Sequence, residues 1–247
     1  VWPGGDGARS PFDPKPSSFF SILAMRRTPV YIICSPRPQV GKTLIARLLC
    51  EFLLLQRGGV VGFVVNLKEP SLLDFLPRTT ETADVDNTFG KMQLMDRLIL
   101  NDDIAKVIDL GFHAFAEFFT MVGEIGFFKE AARRGVAPVV LFVADSDRAS
   151  ARAYAMLQSS VPARAFITID NEYVLRGELP DALSHGRLLN IAALPVYVAR
   201  RRMMKMEPPT IYMPEAAIET VEKILKLFTR LDRGRMPCQM LPIRPGD

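Results

Sequence analysis

Gly41-Lys42-Thr43 is the combination in this chain best suited to chemistry on a phosphate. The glycine lets the backbone approach an anion closely, the lysine reaches β- and γ-phosphate oxygens, and the threonine hydroxyl can ligate Mg²⁺. A carboxylate further along completes the set. Asp109 comes near the end of the apolar run Ala105–Leu110, where it can hold the same metal ion through water.

Two elements must position these groups. Val30-Tyr31-Ile32-Ile33 is a β-branched apolar run that reads as a buried strand, and Leu44 to Leu55 reads as a helix. Between them lies Cys34-Ser35-Pro36-Arg37-Pro38-Gln39-Val40-Gly41-Lys42-Thr43. Strand, loop, Gly-Lys-Thr and helix is the context of a phosphate-binding loop. The first N–H groups of a helix have no intrahelical acceptor, and the helix dipole adds partial positive charge. The expected anion site is therefore the backbone of Gln39, Val40, Gly41, Lys42 and Thr43 together with the Lys42 amine. One departure from G-x-x-x-x-G-K-[ST] is plain: Pro36 stands at the first glycine.

Aligned on Gly41-Lys42-Thr43, the loop resembles the K-G-G-x-G-K-[ST] loop of the ParA/MinD-type ATPases. Val40 takes the variable position, Pro38 and Gln39 replace two glycines, and Arg37 falls on the signature lysine. The resemblance implies several roles. Arg37 would reach a partner's nucleotide across a dimer, though a guanidinium fork is not equivalent to an ammonium. Asp109 would be the Walker B acid, and the N–H of Gly111 would sense the γ-phosphate. Asn171, at the exit of a strand over 165–170, would contact the adenine. The resemblance implies Mg-ATP as ligand, a nucleotide-dependent homodimer and a protein partner. After the strand Val60–Asn66, Asn66 and Lys68 replace two acids of the family, one of which positions the attacking water. Hydrolysis is accordingly expected to be slow, with Glu69 or Asp74 as substitutes for that acid.

The remaining sequence supports a three-layer α/β/α sandwich with a mostly parallel sheet, of the P-loop NTPase fold. Residues 28–232 are expected to form this domain, with tails over 1–27 and 233–247 and Met25 as the natural start. Further strands are expected at 105–110, 138–145, 165–170 and 195–198, and an amphipathic helix at 214–230. Residues 77–87 read as a mobile loop, and 111–134 as one helical stretch carrying the stripe Phe112, Phe115, Phe118 and Phe119. Ser146 or Asp147 is the expected cap of the next helix, with Asp145, Ser146 and Asp147 beside the ligand crevice.

Hydrophobic residues make up 49% of the chain, which is enough for one sizeable core. Two histidines exclude a histidine-rich metal site, and three cysteines without ligand spacing suit reduced cytoplasmic thiols. A net charge of +4 and the segment Arg200 to Met206 permit contact with DNA or a membrane surface. Two other functions fit the same motif. One is an ATP-dependent small-molecule ligase or kinase of the P-loop class; the other is a noncatalytic nucleotide binder.

Overall fold

The computed structural model describes residues 27–65, 72–172, 180–184 and 187–191, together with 226, 229 and 230. Expectations for the 1–26 tail, Met25, Asn66, Lys68, Glu69, the strand at 195–198, Arg200 to Met206, most of the helix at 214–230 and the 233–247 tail lie outside the described residues.

Among the described residues seven strands form one sheet, and every strand pair in it is parallel. In chain order the strands are β1 (Thr28–Cys34), β2 (Val60–Val65), β3 (Thr80–Thr82), β4 (Ala105–Leu110), β5 (Val136–Val143), β6 (Phe166–Asn171) and β7 (Arg187–Ile191). Across the sheet they run β3-β2-β4-β1-β5-β6-β7. The helices are α1 (Lys42–Arg57), α2 (Leu72–Phe75), α3 (Thr88–Leu98), α4 (Phe115–Ile125), α5 (Phe127–Arg133), α6 (Arg148–Ser160) and α7 (Asp181–Ser184). This is an α/β/α sandwich of the P-loop NTPase fold, with the strand carrying Asp109 directly beside the strand that feeds the phosphate loop.

The apolar runs explain the layering. Val30, Ile32 and Cys34 of β1 enter the core shared with α3, α4, α5 and α6. Tyr31 and Ile33 enter the opposite core, shared with α1. A strand covered on both faces needs no polar alternation, so β1 reads as a continuous hydrophobic run. α1 ends at Gly58, whose φ of 74° allows its N–H to bond the Leu54 carbonyl at 3.0 Å.

Several expectations change. Residues 80–82 inside the expected mobile loop form the edge strand β3, paired to β2. Asp84 and Asn87 hold the following turn: Asn87 Nδ2 donates to Asp84 at 2.5 Å, and Gly90 N donates to Asn87 Oδ1 at 2.8 Å. Asn87 is thereby the cap of α3. The single helical stretch after β4 is two helices, broken at Gly126 with φ 67°. The residues after β6 form β7 at 187–191, a strand the sequence reading did not separate from the one at 195–198. No described helix is long and apolar enough to cross a membrane.

Candidate active site

The carboxyl ends of β1, β4, β5 and β6 all meet at the loop after β1. This is where an open parallel sheet places its ligand crevice, because the connections leaving β1 and β5 lead to opposite sides of the sheet.

The loop is wound tightly. Gln39 has φ 58° and Gly41 has φ 88°, so both sit in the left-handed region. Gly41 is required there for a second reason. A Cβ at this position would lie 2.6 Å from Asn171 Nδ2. The first bond of the α1 ladder runs from Ile45 N to the Gly41 carbonyl at 3.1 Å. The N–H groups of Thr43 and Leu44 therefore stand ahead of the ladder, at the positive end of a sixteen-residue helix.

Lys42 is 8% exposed. Its Nζ donates to the Arg37 carbonyl at 2.6 Å and lies 6.0 Å from the centre of the Phe112 ring. The amine thus sits between its own loop and the loop after β4. Asp109 is also buried, at 5% exposure. It pairs in register with Ile33 of β1 and Val64 of β2, both in the core on the α1 side. Asp109 shares that face, the face that carries Thr43. Its carboxylate also contributes to raising the Cys50 thiol, after the larger effect of burial. Burial likewise pushes the Cys34 thiol up, and Lys42 only partly opposes it. Both cysteines are free and buried.

Arg37 does not stand alone in its loop. Its Nε lies 3.5 Å from Asp145, and its Nη2 lies 3.7 Å from Asp147. Asp147 is the cap of α6, accepting from Ala149 N at 2.7 Å, and Asp145 accepts from Asp147 N at 3.1 Å. The capping role expected for Asp147 is therefore present, and the same carboxylate faces Arg37. The Gly111 N–H continues the ladder instead of standing open, donating to the Val65 carbonyl at 3.3 Å.

Asn171, expected to contact the adenine, is the last residue of β6. At 3% exposure it lies beneath the phosphate loop, and its Nδ2 donates to the Val40 carbonyl at 3.1 Å. The amide ties the end of β6 to the loop across 131 positions of sequence. An asparagine closing an apolar strand was the only sequence signal, and it does not specify a partner. Arg47 was also missed. Only 7% exposed on α1, it pairs with Glu51 at 2.9 Å and stacks 4.7 Å from the Phe75 ring.

The residues present fit a nucleotide phosphate and Mg²⁺. A buried lysine, helix N–H groups and a loop that only glycine can complete would form an anion cradle. Among the described residues no group of three His, Cys, Asp or Glu side chains could hold a metal by itself. That suits Mg²⁺, which takes one or two protein ligands and leaves the rest to phosphate and water. Lys42, Thr43, Gly41, Val40, Gln39 and Asp109 are the residues that would form this site.

No family model matches the chain. A 65-residue stretch is 35% identical to tRNase Z TRZ1 of Arabidopsis thaliana, covering 26% of this chain and 23% of that protein. The chloroplastic tRNase Z TRZ2 of the same plant is 32% identical over 65 residues, covering 26% of this chain and 18% of that protein. Nuclear ribonuclease Z of Triticum aestivum is also 32% identical over 65 residues, 26% of this chain and 37% of that protein. The chain thus spans well under half the length of these curated relatives, and so short a match does not place it in their family. Among solved structures, a gluconokinase from Sinorhizobium meliloti 1021 is 13% identical with a TM-score of 0.30, covering 84% of this chain and 94% of that one. The fold assignment rests on the strand order and the phosphate loop of this chain.

Proposed function

We propose that this chain is a Mg-ATP-binding P-loop NTPase, a slow ATPase that acts as a nucleotide-dependent dimer switch of the ParA/MinD type. The observation that carries the reading is the convergence on one loop: Lys42 folded under it, Asn171 locked beneath it, and Asp109 on the adjacent strand facing α1. Lys42 and the N–H groups of Thr43 and Leu44 hold phosphate, while Thr43 and Asp109 hold the metal directly or through water. Bound Mg²⁺ would supply charge neutralisation on the phosphate oxygens. Asn171 fixes the loop by its bond to the Val40 carbonyl. The catalytic unit is taken as 28–232, between tails at 1–27 and 233–247.

The dimer role has a structural condition. Arg37 is held within its own chain by Asp145 and Asp147, so it must exchange those partners before it can serve a second subunit. Both ion pairs are long and Arg37 is 43% exposed, which makes that exchange inexpensive.

Calorimetry with Mg-ATP, ADP and GTP on wild type and Lys42→Ala tests the site. Micromolar ATP binding that disappears in the variant is expected; no binding by folded wild type overturns the reading. Sedimentation with and without ATP then tests the switch. Arg37→Ala is expected to keep ATP binding and lose the ATP-dependent dimer. ADP formation stimulated by a small hydroxyl or carboxylate compound, in a protein that stays monomeric, would favour the kinase or ligase reading instead.

A further inference from the structure

The opposite end of the sheet carries a cavity of about 260 Å³. It opens where β5 and β6 begin, between α5 and a 3₁₀ turn at Ala163–Ala165. Phe128, Val139 and Ile167 give it an apolar lining, and Arg27, Arg164 and Arg187 are among the residues that line it. No carboxylate is among the lining residues. Arg187 Nη1 donates to the Arg164 carbonyl at 2.6 Å, so one cation is anchored on the turn that carries another.

The cavity has a cause in the sequence. β5 lies inside the sheet, between β1 and β6, yet Ala137, Pro138 and Val139 are only half-buried. Inner strands of a parallel sheet are ordinarily covered on both faces. Here Pro138 of β5 pairs with Val30, and Pro29 of β1 pairs with Ala137. Neither proline donates a ladder bond, and proline is uncommon in a central strand. The sheet is left thin on hydrogen bonds and incompletely covered at one place, and that place is ringed by arginines.

We propose that this cavity binds a small organic anion, a carboxylate or phosphate monoester joined to a compact apolar body. Guanidinium forks match both headgroups through paired, charge-assisted hydrogen bonds. The apolar lining accepts the body. The volume lies just below the range of about 300–1,000 Å³ usual for drug-sized ligands, which restricts the ligand to a compact one. The cavity is lined by the first half of β5, and residues 140–143 separate it from the phosphate loop by roughly 13 Å, so occupancy here does not require Lys42.

The test is titration of the full chain with phenyl phosphate, with inorganic phosphate and phenol as comparators, followed by calorimetry. Saturable phenyl phosphate binding is expected, with each comparator at least about tenfold weaker. Arg164→Gln and Arg187→Gln are each expected to weaken it about tenfold. Ala132, exposed on α5, lines the cavity, so Ala132→Trp fills the opening from outside and is expected to abolish binding without disturbing the core. Lys42→Ala is expected to leave binding unchanged. Absence of saturable binding, binding that survives Ala132→Trp, or binding lost in Lys42→Ala would each overturn the proposal. The last outcome assigns the anion to the phosphate loop, so failure here and failure of the nucleotide reading are separable.

Discussion

Two buried lysines sit at opposite ends of this sheet, and they are held differently. Lys106, near the start of β4, is 2% exposed. Its amine donates to Asp102 Oδ1 at 2.7 Å and to the Leu100 carbonyl at 2.8 Å. Both partners lie in the turn just before the strand, where the Thr28 hydroxyl also donates to Asn101 at 2.8 Å and accepts from Asp103 N at 2.9 Å. Lys42 is about as deeply buried, yet its amine is bound to a carbonyl of its own proline-containing loop. One lysine closes a turn by satisfying a carboxylate and a helix-end carbonyl. The other curls the loop that an anion would have to enter. Burial alone does not distinguish a structural cation from a candidate ligand-binding one; the element that holds the amine does.

The contrast breaks first at Gly41. Gly41→Ala adds a Cβ against Asn171 at a φ of 88°. At least a hundredfold loss of ATP affinity is expected by calorimetry, with a stability cost of ~1–2 kcal/mol from the left-handed backbone alone. Next comes the pair of lysines. Lys106→Ala strands Asp102 and the Leu100 carbonyl, and a loss of ~2–3 kcal/mol is expected in urea unfolding, with nucleotide affinity unchanged. Lys42→Ala should reverse the pattern, abolishing nucleotide binding at a stability cost of about 1 kcal/mol or less. Equal stability losses in the two variants would remove the distinction. Asn171→Ala comes third, with about a tenfold loss of affinity and ~1 kcal/mol of stability from the lost amide donor. Asn171→Asp should be worse than Ala, because it turns an acceptor toward the Val40 carbonyl.

The smallest effect is at the surface. Arg133 and Arg134 hydrogen-bond Glu130 and hold its carboxyl down at about 2. A depressed acid adds stability that is complete above its ordinary value near 4.5 and is lost as pH falls toward 2. Glu130→Gln should therefore flatten the acid limb slightly in that interval and lower stability at neutral pH by the same small amount, small because the site is exposed.

The strands were legible where local pattern and tertiary demand coincide. β1 is buried along its whole length, and β2, β4 and the second half of β5 nearly so, so they read as largely apolar runs. Lys42 and Asp109 stood out because phosphate chemistry restricts residue type as well as spacing, and both side chains are buried. β3 was not, since three residues with two exposed carry no periodicity. Its existence depends on the open edge of β2. The break at Gly126 was hidden because the apolar spacing continues through it, with Phe127 fully buried beyond. The Arg37 clasp and the Asn171 anchor join positions more than a hundred residues apart. No local pattern encodes such a distance.

The anchor between Asn171 and Val40 has a consequence for the order of events during synthesis. β1 and its loop are translated early, but β1's neighbours, β4 and β5, come far behind it. The amide that fixes the loop follows Val40 by 131 residues, roughly 7 to 26 s at about 5–20 residues per second. Until β6 is made, the loop after β1 lacks the clasp that shapes it. A nascent chain therefore acquires its loop only when the sheet is nearly whole.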